Sequence, residues 1–481
     1  MKHLIFSALV TLFTGVLNGF AQAETCNCSE NLQKLAAKTQ ENYAGFPAKV
    51  NPKTQDKYNK LLQKLQKEAA AISQPKACYY LLKSYIRFFE DKHFILAYNN
   101  ENDFDNEQIS LTETEFKNAY NAKKAAPIEG VWVNPEGTLK LAIKKTADKT
   151  FKAIVLESVD KKLQAGLVYC VFTQTKNGFI AKEFDSFIST DSPARLRGNL
   201  LQIWNSSMFG RQFPQIMNAT ERRELDTWRN NNKGLDFKKL SDKTAYLKVT
   251  TFQANDDKIQ ALVAANDSII RATDNLIVDL TGNGGGNTGW VAFLPYFLTN
   301  PVVQYSSFVR VTPENVALKL KDLEFFVLNP IPAEYEKYFP AEVLAAYKRA
   351  YAELPTTTDA FYPVPGVTFP LETMLPKPKR IALLVDDLCG SSTEYFFSLS
   401  KQSSKTTTYG TNTIGMMDYE GMSVPTALPY GKYILTIPIV KSSWTDTAPI
   451  DKTGFTPDVS LKHLPVQDWV PYVQKQLEEQ E

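Results

Sequence analysis

An apolar run that ends in a glycine-rich segment constrains this chain more than any other feature. Residues 276–280 read Leu-Ile-Val-Asp-Leu, and residues 282–286 read Gly-Asn-Gly-Gly-Gly. Such a run is typical of a buried strand, and glycines let the backbone take positive φ and let other groups approach its amides. The segment predicts a strand followed by an anion cradle, an oxyanion hole of backbone N–H groups, or a plain tight turn. The Gly-Lys-Ser/Thr of a nucleotide-binding P-loop is absent.

The second half of the chain alternates strand and helix signals around this loop. The pattern predicts strands at 245–249, 275–280 and 380–385, and helices at 256–271 and 391–401. This alternation predicts an α/β layered core over residues 241–481. Ligands of such sheets bind beyond the carboxyl ends of the strands.

The first half of the chain predicts different units. Apolar residues at three- and four-residue spacings predict a mostly helical region over 24–125, and short alternating runs predict a small β-domain over 126–190. Residues 191–240 are polar and irregular, so we expect a connecting segment there. The fold class is therefore multidomain α+β, with an N-terminal helical segment, a small β-domain and the C-terminal α/β core.

The N-terminus has the pattern of a secretory signal peptide. A short basic start and an apolar run precede Ala21-Gln22-Ala23, which fits a small-x-small cleavage site. We expect cleavage after residue 23 and export to the periplasm or medium. No later stretch is long and apolar enough to span a bilayer. With 54 Lys plus Arg against 52 Asp plus Glu, the formal charge is +2, which argues against a nucleic-acid partner.

Export makes a disulfide permissible, and the chain has five cysteines. Either Cys26 or Cys28 is expected to pair with Cys78, and the odd count leaves at least one free thiol. A Cys-x-Cys pair without further Cys or His ligands is a poor zinc site. We expect no metal and no cofactor.

A second constellation, at residues 381–394, places hydroxyls between a strand and a helix. Ser391 or Ser392 in such a turn is well placed as a nucleophile, because helix N-terminal amides face the developing charge. The alternative is that the serine only caps the helix, with Glu394 as the capping-box partner of Ser391. Cys389 is a rival nucleophile, although a small buried thiol is its more common role.

Any mechanism that needs imidazole has few candidates, because the chain has three histidines and His3 lies in the signal peptide. His93 and His463 remain. His93 follows a predicted amphipathic helix and is either a base or an ordinary packed residue. In the turn-rich closing segment, Asp451 either orients a histidine or starts a turn.

Taken together, these segments resemble the S41 peptidases, which include carboxyl-terminal processing proteases, tail-specific proteases and the tricorn core. Val278 to Gly286 is similar to the family's Asp-Leu-Arg-Gly-Asn-Gly-Gly-Gly, with Thr281 in place of arginine. Val385 to Glu394 is similar to the nucleophile segment, which implies Ser391. Residues 454–459 resemble the closing Gly-Ile-x-Pro-Asp-Ile, and residues 246–252 resemble a Tyr-Leu-x-Ile-x-x-Phe element.

The family has two branches, one with a Ser–Lys dyad and one with a histidine base, and the sequence resembles them unequally. Met416 stands where members with a Ser–Lys dyad carry the lysine, so the resemblance favours the tricorn-like branch with a histidine base. It implies His93 as the base and Asp451 as its orienting carboxylate, although Lys92 replaces the serine that usually precedes the histidine. It also implies an oxyanion hole of backbone N–H groups, from Gly284 or Gly285 together with Ser392.

The resemblance therefore implies a serine peptidase that acts on peptides or proteins, and the signal-peptide pattern predicts its export. The alternative is a catalytically inactive relative that binds a peptide or another ligand of the cell envelope in the same cleft. No PDZ-like loop is recognisable in the β-domain, so recognition of protein tails by a PDZ domain is not expected.

Overall fold

The computed structural model describes residues 26–99 and 107–479. The predicted signal peptide at 1–23 lies outside these ranges. Within them, none of the helices combines the length and the apolar character needed to cross a membrane.

The N-terminal region is helical, as predicted, and ends with a strand and a short helix. A disulfide joins Cys28 to Cys78, the second of the two expected pairings, and Cys26 is a buried free thiol. Aromatic side chains such as Tyr43, Tyr85 and Phe89 are fully buried between the helices. The elements are α1 (Cys28–Asn42), α2 (Phe46–Lys49), α3 (Gln55–Ala69), α4 (Pro75–Ile86), β1 (Ile95–Tyr98) and α5 (Glu113–Ala119).

The β-domain is a closed eight-stranded antiparallel barrel, larger than the predicted 126–190. Its strands are β2 (Gly130–Val133), β3 (Leu139–Ala147), β4 (Thr150–Ser158), β5 (Val168–Thr175), β6 (Gly178–Glu183), β7 (Ser192–Arg197), β8 (Leu200–Ile203) and β9 (Ser207–Phe213). Three of them lie in the expected connecting segment, and β9 closes the barrel on β2. Trp132, Phe151 and Phe172 are buried in the interior, so the barrel is a packed core.

The C-terminal core is built on a six-stranded sheet that follows α6 (Ala219–Asp226). The first half of its elements comprises β10 (Asp236–Lys239), β11 (Thr244–Lys248), α7 (Asp256–Ala272), β12 (Asn275–Asp279), α8 (Leu294–Phe297), β13 (Val302–Val303), β14 (Ser307–Arg310), α9 (Pro313–Leu328) and α10 (Ala341–Glu353). The second half comprises β15 (Phe361–Val364), β16 (Thr368–Phe369), β17 (Arg380–Val385), α11 (Ser392–Ser400), β18 (Thr406–Gly410), β19 (Tyr419–Met422), β20 (Thr426–Ala427), β21 (Tyr433–Thr436), β22 (Pro438–Ser442), β23 (Val459–Ser460) and α12 (Trp469–Glu479).

The strand order of the main sheet is β10-β11-β12-β17-β18-β23, and every pair except β10 with β11 is parallel. Because β12 and β17 are parallel neighbours, with Asp279 opposite Leu384, the loops that follow them emerge at the same edge. The predicted α/β core is therefore confirmed, and it brings the glycine loop beside the Ser391 loop. A smaller sheet pairs β1 with β21 and joins the N-terminal region to the core.

Candidate active site

Ser391 is held in an unusual backbone conformation at the start of α11. Its φ is 51° and its ψ is −121°, a conformation that costs a non-glycine residue about 1–3 kcal/mol and is concentrated at functional sites. Its side chain makes no capping hydrogen bond; instead Oγ lies 3.0 Å from Nε2 of His93. The helix-cap reading of Ser391 is therefore wrong.

His93 is held by its own loop, between α4 and β1. Its backbone N–H donates to Oδ1 of Asp91 at 2.8 Å, and the hydroxyl of Tyr43 donates to Oδ2 of the same carboxylate at 2.6 Å. Asp91 is buried, and this burial raises its pKa. The carboxylate thus fixes the backbone that presents His93, rather than its ring.

The ring of His93 is oriented by a backbone carbonyl. Nδ1 lies 2.9 Å from the carbonyl oxygen of Tyr419. A carbonyl oxygen only accepts hydrogen bonds, so the neutral ring carries its proton on Nδ1. Nε2 is left as an acceptor for the hydroxyl proton of Ser391, which is the arrangement that a general base requires.

The segment that carries this carbonyl is anchored by the preceding residue, Asp418. The buried carboxylate of Asp418 accepts from the backbone N–H groups of Ile450 and Asp451 at 3.0 and 2.8 Å, and from Nε1 of Trp444 at 3.0 Å. Its backbone carbonyl accepts from the Ser442 N–H at 3.0 Å. Asp418 therefore fixes both the Tyr419 peptide and the loop that carries Asp451.

Asp451 does not take the place at His93 that the resemblance implies. Its carboxylate forms an ion pair with Lys49 of α2, and both side chains are about 15% exposed. The ring nitrogen that a triad carboxylate would hold is occupied by the Tyr419 carbonyl. The structure brings together Ser391 and His93, and it places Asp451 in a separate ion pair nearby.

The glycine loop packs directly against the nucleophile loop. Gly285 has φ of 94°, and a Cβ there would lie 2.8 Å from both Cβ of Ser391 and the backbone nitrogen of Ser392. Only glycine therefore fits. The Gly285 N–H donates to Oδ1 of Asn283 at 2.9 Å, and the Gly284 N–H donates to Oδ1 of Asn205 at 2.8 Å. Of the three predicted oxyanion donors, the Ser392 amide alone is without an acceptor among the described residues.

Glu394 supports the loop behind the nucleophile. Its fully buried carboxylate accepts from the Thr413 hydroxyl at 2.5 Å and from the backbone N–H groups of Gly415 and Met416, each at 2.7 Å. Burial raises the pKa of this carboxyl. Met416, which the resemblance aligns with the lysine of Ser–Lys members, is therefore held next to the site but has no basic group.

The remaining candidates have other partners. Ser392 Oγ donates to the Asn287 carbonyl at 2.5 Å and accepts from Nε1 of Trp290 at 3.2 Å. The Cys389 thiol donates to the Leu280 carbonyl at 3.0 Å, and burial raises its pKa well above the ordinary value. It is not poised as a thiolate. His463 is exposed, with its ring beside that of Tyr472.

Sequence reasoning missed four residues that contact this site: Tyr419, Asp418, Lys49 and Asn205. Tyr419 acts through a backbone oxygen, for which a sequence has no signal. Asp418 lies two residues after Met416, which the resemblance aligns with the dyad lysine, so a search for an acid in that segment would have found it.

Comparisons with known proteins give the family of the C-terminal core and solved structures of similar fold. Residues 243–461 match the family model described as Peptidase family S41. Among solved structures, the chain is similar to mature CPAF, with a TM-score of 0.55 and 13% identity over 94% of this chain and 97% of that one. It is similar also to mature CPAF complexed with lactacystin, with a TM-score of 0.54 and 13% identity over 94% and 98%. No curated protein matches the chain by sequence.

Proposed function

We propose, from the membership of residues 243–461 in peptidase family S41, that this protein is a serine peptidase with Ser391 as nucleophile and His93 as general base. The observation that carries the proposal is the 3.0 Å contact between Oγ of Ser391 and Nε2 of His93. The two residues are 298 positions apart in the chain, and His93 is held in the tautomer that accepts a proton.

In the first half of the reaction, Oγ of Ser391 attacks the carbonyl carbon of the scissile peptide bond while its proton passes to Nε2 of His93. The imidazolium that forms donates from Nδ1 to the Tyr419 carbonyl. His93 then returns the proton to the leaving amine, the C–N bond breaks, and an acyl ester remains on Ser391. In the second half, water attacks this ester, His93 takes the proton of the water and returns it to Oγ.

The negative oxygen of each tetrahedral intermediate requires backbone donors. The N–H of Ser392 adjoins Ser391 and has no acceptor in the part of the chain that the structure describes, and the glycine loop supplies the second donor. We assign this second donor to Gly284. The Gly285 N–H donates to Asn283 within the glycine loop itself, whereas the Gly284 N–H donates to Asn205, a side chain from the barrel that can move away without a change in the loop.

The test is covalent labelling of the wild-type protein with a fluorophosphonate probe, followed by mass spectrometry of the peptides. The probe reacts only with an activated serine, so we expect one adduct, on Ser391. A peptide library would be digested in parallel. Absence of both labelling and cleavage would contradict the proposal and favour the alternative, a ligand-binding relative with an inactive site.

We predict that Asp451→Asn lowers kcat by less than about tenfold. Where an aspartate holds the histidine ring of a serine protease, the same change costs about 10⁴-fold. In this protein the Tyr419 carbonyl holds the ring, and Asp451 pairs with Lys49. The measurement is kcat on a peptide taken from the library digest. A loss of 10³-fold or more would mean that the carboxylate moves to His93 during turnover.

Export is part of the proposal. The signal-peptide pattern of residues 1–23 and the Cys28–Cys78 disulfide support an oxidising compartment. The mass of the protein recovered from an envelope or medium fraction tests this, and a chain that begins at Glu24 is expected. A full-length chain retained in the cytoplasm would contradict it.

A further inference from the structure

The barrel reaches into the site through one hairpin. Its tip, residues 204–206, joins β8 to β9 and lies against the glycine loop. Oδ1 of Asn205 accepts the Gly284 N–H at 2.8 Å, and Nε1 of Trp204 donates to the Leu388 carbonyl at 2.9 Å. A Cβ on Gly284 would lie 2.8 Å from Nδ2 of Asn205, so the hairpin tip covers this face of the loop.

Residues that precede Asn205 attach the hairpin to the core independently of it. Nε2 of Gln202, a buried side chain, donates to the Gly282 carbonyl at 3.3 Å. Arg195 of β7 forms a two-point ion pair with Asp387, at 2.6 and 3.2 Å. Trp204 has φ of 31°, which is an outlier for a bulky side chain and persists only where surrounding contacts impose it.

The oxygen that accepts the Gly284 N–H belongs to the same chemical class as the carbonyl oxygen of a peptide substrate. Gly284 is buried, and a buried N–H group requires a hydrogen-bond partner. A side-chain carboxamide oxygen and the carbonyl oxygen of a scissile peptide are the same kind of acceptor. One N–H group cannot make a full-strength bond to both.

We propose that Asn205 is an intramolecular competitor of the substrate, which occupies the Gly284 donor of the oxyanion hole until a peptide displaces it. The inference rests on the proposed function, in which Gly284 is that donor. Asn205 is half-buried. Rotation of its side chain therefore frees Gly284 while Gln202, Trp204 and Arg195 keep the hairpin in place. The barrel thereby sets the resting activity of a site whose nucleophile and base belong to other parts of the chain.

The test compares the second-order rate of fluorophosphonate labelling at Ser391 in wild-type, Asn205→Ala and Asn205→Asp proteins. Alanine removes the competing acceptor, and a neutral hydrogen bond of ordinary net strength corresponds to about a two- to tenfold gain in rate. Aspartate keeps an acceptor and makes it a stronger one, so labelling is expected to fall below that of the wild type. The matched control is Ser206→Ala, because this hydroxyl donates only to Ile203 within the hairpin, at 3.0 Å, and its loss should leave the rate unchanged.

The outcomes separate this inference from the proposed function. Labelling that depends on Ser391 but is unchanged in Asn205→Ala would overturn the inference alone. A fall of about 100-fold would also overturn it, because it would show that the carboxamide assists the reaction as a donor. Absence of labelling in every folded variant would overturn both.

Discussion

Replacement of His93 by alanine should lower kcat by roughly 10⁴- to 10⁶-fold, the loss seen when a serine hydrolase loses its base. His93 is the histidine that touches the nucleophile, at 3.0 Å, and its ring is held by the Tyr419 carbonyl. Neither Met416 nor the ion pair of Lys49 with Asp451 offers a free base in its place. The measurement is turnover of a library-derived peptide, with labelling of Ser391 as a second readout.

Two comparisons make this prediction specific. His463→Ala removes the other histidine of the mature chain, which is exposed, and should leave kcat unchanged. The double variant Ser391→Ala with His93→Ala should be no slower than either single variant, because residues that act as a unit have non-additive effects. Activity that survives His93→Ala would rule out the proposed base.

Much of the site could be predicted from local sequence. The glycine loop and the Ser391 loop each follow an apolar strand, and parallel pairing of β12 and β17 places both at one sheet edge. The small number of histidines narrows the base to His93 or His463, and the resemblance to the S41 peptidases implies His93. The orientation of its ring could not be predicted, since it depends on a backbone carbonyl 326 residues away.

The extent of the barrel was not predictable from local pattern, because closure pairs β9 with β2 across about 80 residues and because β7 carries two arginines. Arg195, Arg197 and Gln202 look like residues of a solvated loop. In the structure they bond to Asp387, Glu224 and Gly282 instead. These polar side chains attach the barrel to its neighbours, so local pattern also gave no sign that Asn205 would contact Gly284.

A buried ion pair joins the ends of β11 and β12, directly before the glycine loop. Its removal is the second change from which we expect a large effect. Nζ of Lys248 lies 2.9 Å from Oδ1 of Asp279, and both side chains are about 8% exposed. Lys248 also donates to the Thr281 carbonyl at 2.9 Å, and the Tyr246 hydroxyl donates to Oδ2 of Asp279 at 2.8 Å. Although burial opposes ionisation of Asp279, the charge and hydrogen bond of Lys248 hold its pKa below the ordinary value, together with hydrogen bonds that the Thr281 hydroxyl and N–H donate to Oδ1.

Lys248→Met should therefore destabilise the core sheet by about 3–5 kcal/mol at pH 7, because it leaves the Asp279 carboxylate buried without its cation. Amide hydrogen exchange in β11 and β12 measures this loss.

In the wild type, the contribution of Asp279 to stability is complete above its unfolded pKa of about 3.9 and is lost as the pH falls through the lower folded pKa. In the variant, the carboxyl has lost its cation, so protonation relieves the burial penalty and the difference between the two proteins should shrink below about pH 5. Lys239→Met, which breaks the exposed pair with Asp242, is the matched control and should leave exchange unchanged. A variant as protected as the wild type at pH 7 would show that the pair does not stabilise the strand that carries the glycine loop.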